Sequence, residues 1–222
     1  MLYVTGDLHG DFDRFNAPAV KKLRSSDILA VCGDFGFVWN GGKEEEKLLK
    51  KIGRRRHDTV FVEGCHDNYS LLKEYPTVVY RGGKARKISG NLYQLLRGEI
   101  YEIDGKTLFA FGGGDSGELS LDSPMWQPEE QPSEEEQQHG VDSLKARHGK
   151  VDFILTHDAP ASIKHFLNLE DNEESTIHLY LDYIAKHCDF EKWFFGRYHL
   201  DKVIPPRYAA LFKDTIPAES RP

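Results

Sequence analysis

The chain is poor in the features that would place it outside the ordinary globular class. Three cysteines in 222 residues, Cys32, Cys65 and Cys188, are odd in number and widely spread. They exclude a disulfide framework and fit a reducing compartment, so the expected location is the cytoplasm. No stretch approaches the roughly 20 apolar residues of a membrane span. Met1 leads directly into a short apolar run ending at Thr5, without a basic leader, so the chain is read as unprocessed and without membrane attachment. An excess of positive charge is missing too. With 29 basic against 36 acidic residues, the net charge of -7 argues against the broad positive field of general nucleic-acid binders. Internal repeats and interdomain linkers are absent, and a single domain over residues 1–222 is expected.

What is present is a series of short runs rich in β-branched and aromatic residues, separated by polar segments of helical period. Leu2 to Thr5 runs into Gly6-Asp7, Ile28 to Cys32 into Gly33-Asp34, and Thr59 to Glu63 into Gly64-Cys65-His66. Val151 to Thr156 delivers His157-Asp158, and Trp193 to Phe195 delivers Gly196-Arg197-Tyr198-His199. In α/β sheets ligands bind beyond the carboxyl ends of strands, so these five ends can converge on one site. Leu48, Leu49 and Ile52 form one apolar helical stripe, and Ile177, Tyr180, Leu181 and Ile184 another. Leu92 to Phe111, with Gly105-Lys106 between alternating runs, reads as a hairpin leading to Gly112-Gly113-Gly114. Ser133 with Glu136 reads as a capping box that starts a helix after the proline- and glutamate-rich segment 124–138.

Asp7-Leu8-His9 places a carboxylate and an imidazole where one cation can meet both, and Asp34 adds a second carboxylate at the next strand end. Taken in order, Asp7-x-His9, Gly33-Asp34, Gly64-Cys65-His66-Asp67, His157 and Gly196-Arg197-x-His199 resemble the calcineurin-like metallophosphoesterase pattern. That pattern reads Asp-x-His, Gly-Asp, Gly-Asn-His-Glu/Asp, His and Gly-His-x-His. The resemblance implies an α/β fold, a four-layer α/β/β/α sandwich of two mixed sheets flanked by helices. It implies that Asp7, His9 and His199 hold one metal, that Asp34 bridges to a second, and that His157 belongs to the second. His66 would protonate the leaving group, with Asp67 orienting its ring. Aspartate oxygen and imidazole nitrogen suit Mn, Fe, Zn or Ni. Two such cations about 3.5 to 4 Å apart can bind a phosphoryl group and lower the pKa of a water.

Two positions depart from the pattern. Cys65 stands where the family has an asparagine ligand, and Arg197 where it has a histidine ligand, both of the second metal. Arginine keeps its proton and repels a nearby cation. Three readings follow. Arg197 can grip phosphate oxygens in place of the second ion beside one metal; Cys65 can serve as a thiolate ligand; or the chain can be a hydrolytically impaired metal- or phosphate-binding regulatory module. A zinc-binding structural or scaffolding domain is a reading of a different class, opposed by the lack of paired Cys-x-x-Cys ligands. The expected partner is a phosphoester substrate, a small molecule or nucleotide more than a long duplex.

The remaining polar and aromatic residues read as structural. Arg54 to Arg56 and His57 fit a solvated helix end, Gly112 to Gly114 a turn that can line the cleft, and Cys32 and Cys188 buried thiols. His139, His148, His165, His178 and His187 have no ligating spacing. Trp39, Trp126 and Tyr69 could stack on an aromatic substrate, though such residues more often complete a core.

Overall fold

The computed structural model describes residues 1–116, 127–168 and 174–219. Trp126 lies outside them. The strands are β1 (Leu2–Thr5), β2 (Ile28–Val31), β3 (Asp58–Phe61), β4 (Thr77–Tyr80), β5 (Gly83–Ser89), β6 (Leu92–Leu95), β7 (Glu99–Ile103), β8 (Lys106–Phe111), β9 (Lys150–Thr156), β10 (Asp189–Phe195), β11 (Lys202–Ile204), β12 (Tyr208–Ala210) and β13 (Thr215–Pro217). The helices are α1 (Pro18–Lys21), α2 (Lys43–Gly53), α3 (Tyr69–Glu74), α4 (Glu134–Ala146), α5 (Ala161–Phe166) and α6 (Thr176–His187).

Two mixed sheets result, one in the order β13-β1-β2-β3-β6-β5-β4 and the other β11-β12-β10-β9-β8-β7. Their central strands are parallel and are buried on both faces, which is why they read as continuous apolar runs. Alternation within those runs sorts the layers. In β2, Ile28 and Ala30 join Phe153, Leu155 and Phe194 in the core between the sheets. Leu29 and Val31 face the opposite way, joining Leu49, Ile52 and Leu72 beneath α2 and α3. On the other sheet Ile154, Trp193 and Phe195 pack against Ile177, Leu181 and Ile184 of α6. The molecule is therefore helices, sheet, sheet, helices. Each fully buried Ile, Leu or Phe contributes ~1.5–3 kcal/mol, so both faces of these strands stabilise the stack.

The helical stripes of α2 and α6 are buried as expected. The Ser133–Glu136 capping box is formed, each side chain meeting the other's backbone N–H. The stretch from Leu92 to Phe111 departs from the single hairpin expected. Leu92–Leu95 pairs with β3 and β5 in the seven-stranded sheet, and the hairpin proper, β7 and β8, belongs to the other. The chain crosses between sheets at 96–98, where the Tyr101 hydroxyl accepts from Leu96 N at 2.8 Å and donates to Lys84 O at 2.6 Å. Among the described residues no helix is long and apolar enough to cross a membrane.

Candidate metal centre

Parallel pairing of β1, β2 and β3, and of β9 and β10, brings the carboxyl ends of each set to one edge, and the site residues follow those ends. The turns that carry them are tight. Leu8 N and His9 N donate to Asp34 O at 3.0 and 2.8 Å, and Gly196 N donates to His157 O at 3.0 Å. Of eight non-glycine residues with left-handed backbone among those described, four are His9, Asp34, Arg197 and His199. Such conformations cost on the order of 1–3 kcal/mol each, and they persist where the surroundings over-determine them, commonly at ligand sites. The glycines before the polar residues have a steric role. A Cβ on Gly64 would fall 2.3 Å from Asp34 Oδ1, and one on Gly196 would fall 2.0 Å from Asp7 Oδ1.

Three overlapping groups of ligand-type atoms result: Asp7, His9 and His199; His9, Asp34 and His66; and Asp7, Asp34 and His157, each within 4.8 Å of one another. His9 Nε2 and His199 Nε2 are 2.8 Å apart. His9 Nε2 lies 3.9 Å from Asp7 Oδ2 and 3.8 Å from Asp34 Oδ2, and His199 Nε2 lies 3.4 Å from Asp7 Oδ2. Asp7, His9 and Asp34 each belong to two of the three groups.

The donors fit a cation. Asp7 Oδ2 and His157 Nε2 are buried without a hydrogen-bond partner, a costly state that a metal ligand resolves. His157 Nδ1 sits 2.9 Å from the carbonyl of Cys32, so this nitrogen is the donor and Nε2 turns to Asp34 Oδ1 at 3.4 Å. A backbone carbonyl fixing the ring in this way is the usual support of a ligating imidazole. Burial alone would raise Asp7 and Asp34, but His157, joined by His199 at Asp7 and by His66 at Asp34, holds both carboxyls below the usual range. Burial works against charge on His157, and the two carboxylates outweigh it and raise its pKa well above the ordinary histidine value.

Asp34, and not Asp67, orients His66. Asp34 Oδ2 meets the His66 ring at Nδ1 at 2.8 Å, while Asp34 Oδ1 accepts from His66 N at 2.7 Å. Asp67 instead turns inward, fully buried, and accepts from Phe35 N, Gly36 N and Gly64 N at 3.1, 2.8 and 3.0 Å. With three amides to satisfy beneath the turn, its carboxylate clamps two loops together. Burial and the neighbouring Asp34 charge push its carboxyl up to about 7 against the pull of those amides.

The Cys65 and Arg197 corner differs. Cys65 belongs to none of the three groups. Burial pushes its thiol up to about 12, and the opposing pulls of His157 and Arg197 do not overcome this, so in the metal-free protein it is no thiolate. Its neighbour is the Gly112–Gly114 turn, for a Cβ on Gly114 would fall 2.8 Å from Cys65 Sγ. The turn is buried against Cys65. Arg197 N donates to Asp7 Oδ1 at 3.2 Å, and its guanidinium donates through Nε and Nη2 to the Asp115 carbonyl at 3.2 and 2.5 Å. Burial disfavours the charge of Arg197, but Cys65, Asp158 and Asp34 together raise its pKa, so it stays cationic.

Several remaining residues are engaged elsewhere. Tyr69 is buried with its hydroxyl on Gly64 O, which removes it as a stacking surface, whereas Trp39 is half-buried. Arg55 lies over the Phe12 and Phe15 rings, and Arg56 donates to the Leu23 and Lys21 carbonyls. His139 meets Glu99, and His187 meets the Tyr183 carbonyl. No cysteine-based zinc cluster exists among the described residues.

Two supports were not legible in the sequence. Arg14 donates to Asp7 O at 3.0 Å and Thr5 Oγ1 at 3.2 Å, and it lies over Phe212, on which the His199 ring stacks at 4.3 Å. No local signal marks either residue. Asp158 and His178 also pair, at 3.2 Å; the place of Asp158 beside His157 at a strand end was the available clue.

No family model matches the chain, and no curated protein does. A solved structure similar to it is that of the protein of unknown function AQ665 from Aquifex aeolicus, at 17% identity over 72% of this chain and 79% of that one, with a TM-score of 0.35.

Proposed function

We propose that the chain is a calcineurin-like metallophosphoesterase of the cytoplasm, built around one firmly held divalent cation, with Arg197 standing where a second would sit. The observation that carries this reading is the convergence of His9 Nε2 and His199 Nε2 on the partnerless, buried Asp7 Oδ2. Asp7, His9, Asp34 and His199 would hold the ion, of the Mn, Fe, Zn or Ni type. Bound there, it would supply positive charge to phosphoryl oxygens and acidify water.

The chain's own groups supply the rest. Arg197 offers a fixed cation to phosphate oxygens at the corner where Cys65 gives no ligand. His66 is anchored through Nδ1, which leaves Nε2 available, and its side chain is 44% exposed. Its bond to Asp34 raises its pKa against the effect of burial, so the protonated ring persists nearer to neutrality and can pass a proton to a departing oxygen. The three buried, unpaired cysteines suit a reducing compartment.

The test is elemental analysis of metal per chain, run beside hydrolysis of an aryl phosphomonoester and phosphodiester with Mn, Zn, Fe or Ni. About one metal with turnover is expected. About two would overturn the role given to Arg197, and bound metal without turnover would leave the regulatory reading in its place.

A further inference from the structure

One buried carboxylate next to the site belongs to none of the metal groups. Asp158 is 1% exposed and follows His157 at the end of β9. Its Oδ1 accepts from Ala159 N at 2.8 Å and from the Tyr198 hydroxyl. Its Oδ2 accepts from Asp115 N at 3.1 Å and lies 3.2 Å from His178 Nε2 on α6. Two of these donors flank one side chain. Tyr198 follows Arg197 in sequence, and the Asp115 carbonyl receives the Arg197 guanidinium. Arg197 is itself held in left-handed backbone, φ 61°, and Tyr198 N closes that turn on Gly196 O at 2.7 Å.

We propose that Asp158 is the positioning residue of Arg197. It fixes the backbone through Tyr198 and the guanidinium through the Asp115 residue, whose N–H it accepts and whose carbonyl receives Arg197, while His178 anchors the carboxylate to the outer helix. The inference rests on the reading of Arg197 as the phosphate-binding cation. A bidentate guanidinium grips phosphate only when its plane is held, because the fork geometry is what distinguishes it from a point charge. Arg197 has a long side chain and a strained backbone, so without Asp158 it spreads over several rotamers, and binding then includes the cost of reordering it.

The experiment uses the full chain and two variants, Asp158→Asn and Tyr198→Phe; the second deletes one hydroxyl and guards against a folding failure of the first. The first readout is the Arg197 Nε–H resonance in 15N-labelled protein, assigned by its loss in Arg197→Ala. It is expected to be sharp and protected in the parent and to exchange at least about tenfold faster in both variants, as a lost hydrogen-bonded anchor requires. An unchanged resonance in both overturns the inference. The second readout is calorimetric titration with inorganic phosphate. Arg197→Ala is expected to weaken binding about tenfold, Asp158→Asn by about three- to tenfold, and the double variant no more than Arg197→Ala alone, since the two act as one unit. Losses that multiply would overturn the positioning role. Phosphate affinity indifferent to Arg197→Ala would sink the phosphate reading, while the resonance would still decide whether Asp158 holds the side chain.

Discussion

The two corners of the site share the end of β10, draw their other residues from β1 and β3 of one sheet, and end in opposite chemistry. At the Asp7, His9 and His199 corner, short side chains on tight turns bring lone pairs to a common point, with a buried carboxylate oxygen left partnerless. At the Cys65 and Arg197 corner a proton-bearing thiol and a permanent cation fill the space, each engaged by its surroundings. His157 lies between them, grouped with Asp7 and Asp34 yet beside Cys65. The contrast teaches that strand placement fixes where a side chain arrives, while the side chain that arrives sets the local chemistry, lone pairs at one corner and bound protons at the other.

Removing the corner proposed to hold the cation is the strongest way to break this comparison. Asp7→Ala is expected to empty the site by elemental analysis and to lower turnover about a thousandfold or more, the several kcal/mol of charge stabilisation that a metal supplies. Retained metal would show that the corners are not distinct. His66→Gln is expected to lower kcat about a hundredfold with metal content unchanged, and to hurt substrates with poor leaving groups most; equal losses for good and poor leaving groups would remove His66 as the acid. Converting the second corner sharpens the contrast further. Cys65→Asn combined with Arg197→His is expected to raise metal from about one to about two per chain, as the completed ligand set requires, and an unchanged content would mean that geometry, not side-chain chemistry, excludes the second ion.

The smallest effect comes from outside both corners. Burial first, then Arg55 and Arg56, push the buried His57 down to about 4. A histidine whose folded pKa lies below its unfolded value of about 6.5 binds fewer protons when folded. Stability is therefore complete above about pH 6.5 and falls as pH drops toward 4, by about 1 kcal/mol near pH 5 after allowance for solvent screening. Denaturant midpoints at pH 5 and 7 would check this, and His57→Gln should flatten the difference; an equally steep fall in that variant would assign the acid sensitivity to other groups.

The strands that deliver the site were legible because, buried on both faces, they are near-continuous apolar runs that stop at a glycine. Less was legible at the edges. β11, β12 and β13 have three residues each, too short for a period to register. The β4–β5 hairpin turns at Arg81-Gly82, both left-handed, with only four of its eleven strand positions buried, too few to mark alternation. Leu92 to Phe111 reads as one hairpin because local alternation says nothing about which sheet a strand joins. Within the site, the coming together of Asp7, His9, Asp34 and His199 could be read from their places after strand ends. That Asp34, and not Asp67, meets the His66 ring could not, since both carboxylates follow strand ends and only the packing shows which one turns inward.

Sheet membership adds a mechanical consequence. Asp7, His9 and Asp34 follow strands of the seven-stranded sheet, whereas His157 and His199 follow strands of the other. An ion held by Asp7 and His199 at once, as proposed, would tie the two halves of the sandwich together like a removable bolt. Thermal unfolding should therefore shift upward with metal concentration, tracking RT ln(1 + [L]/Kd). A chelator would loosen the seam between the sheets before it disturbed either sheet's own ladder.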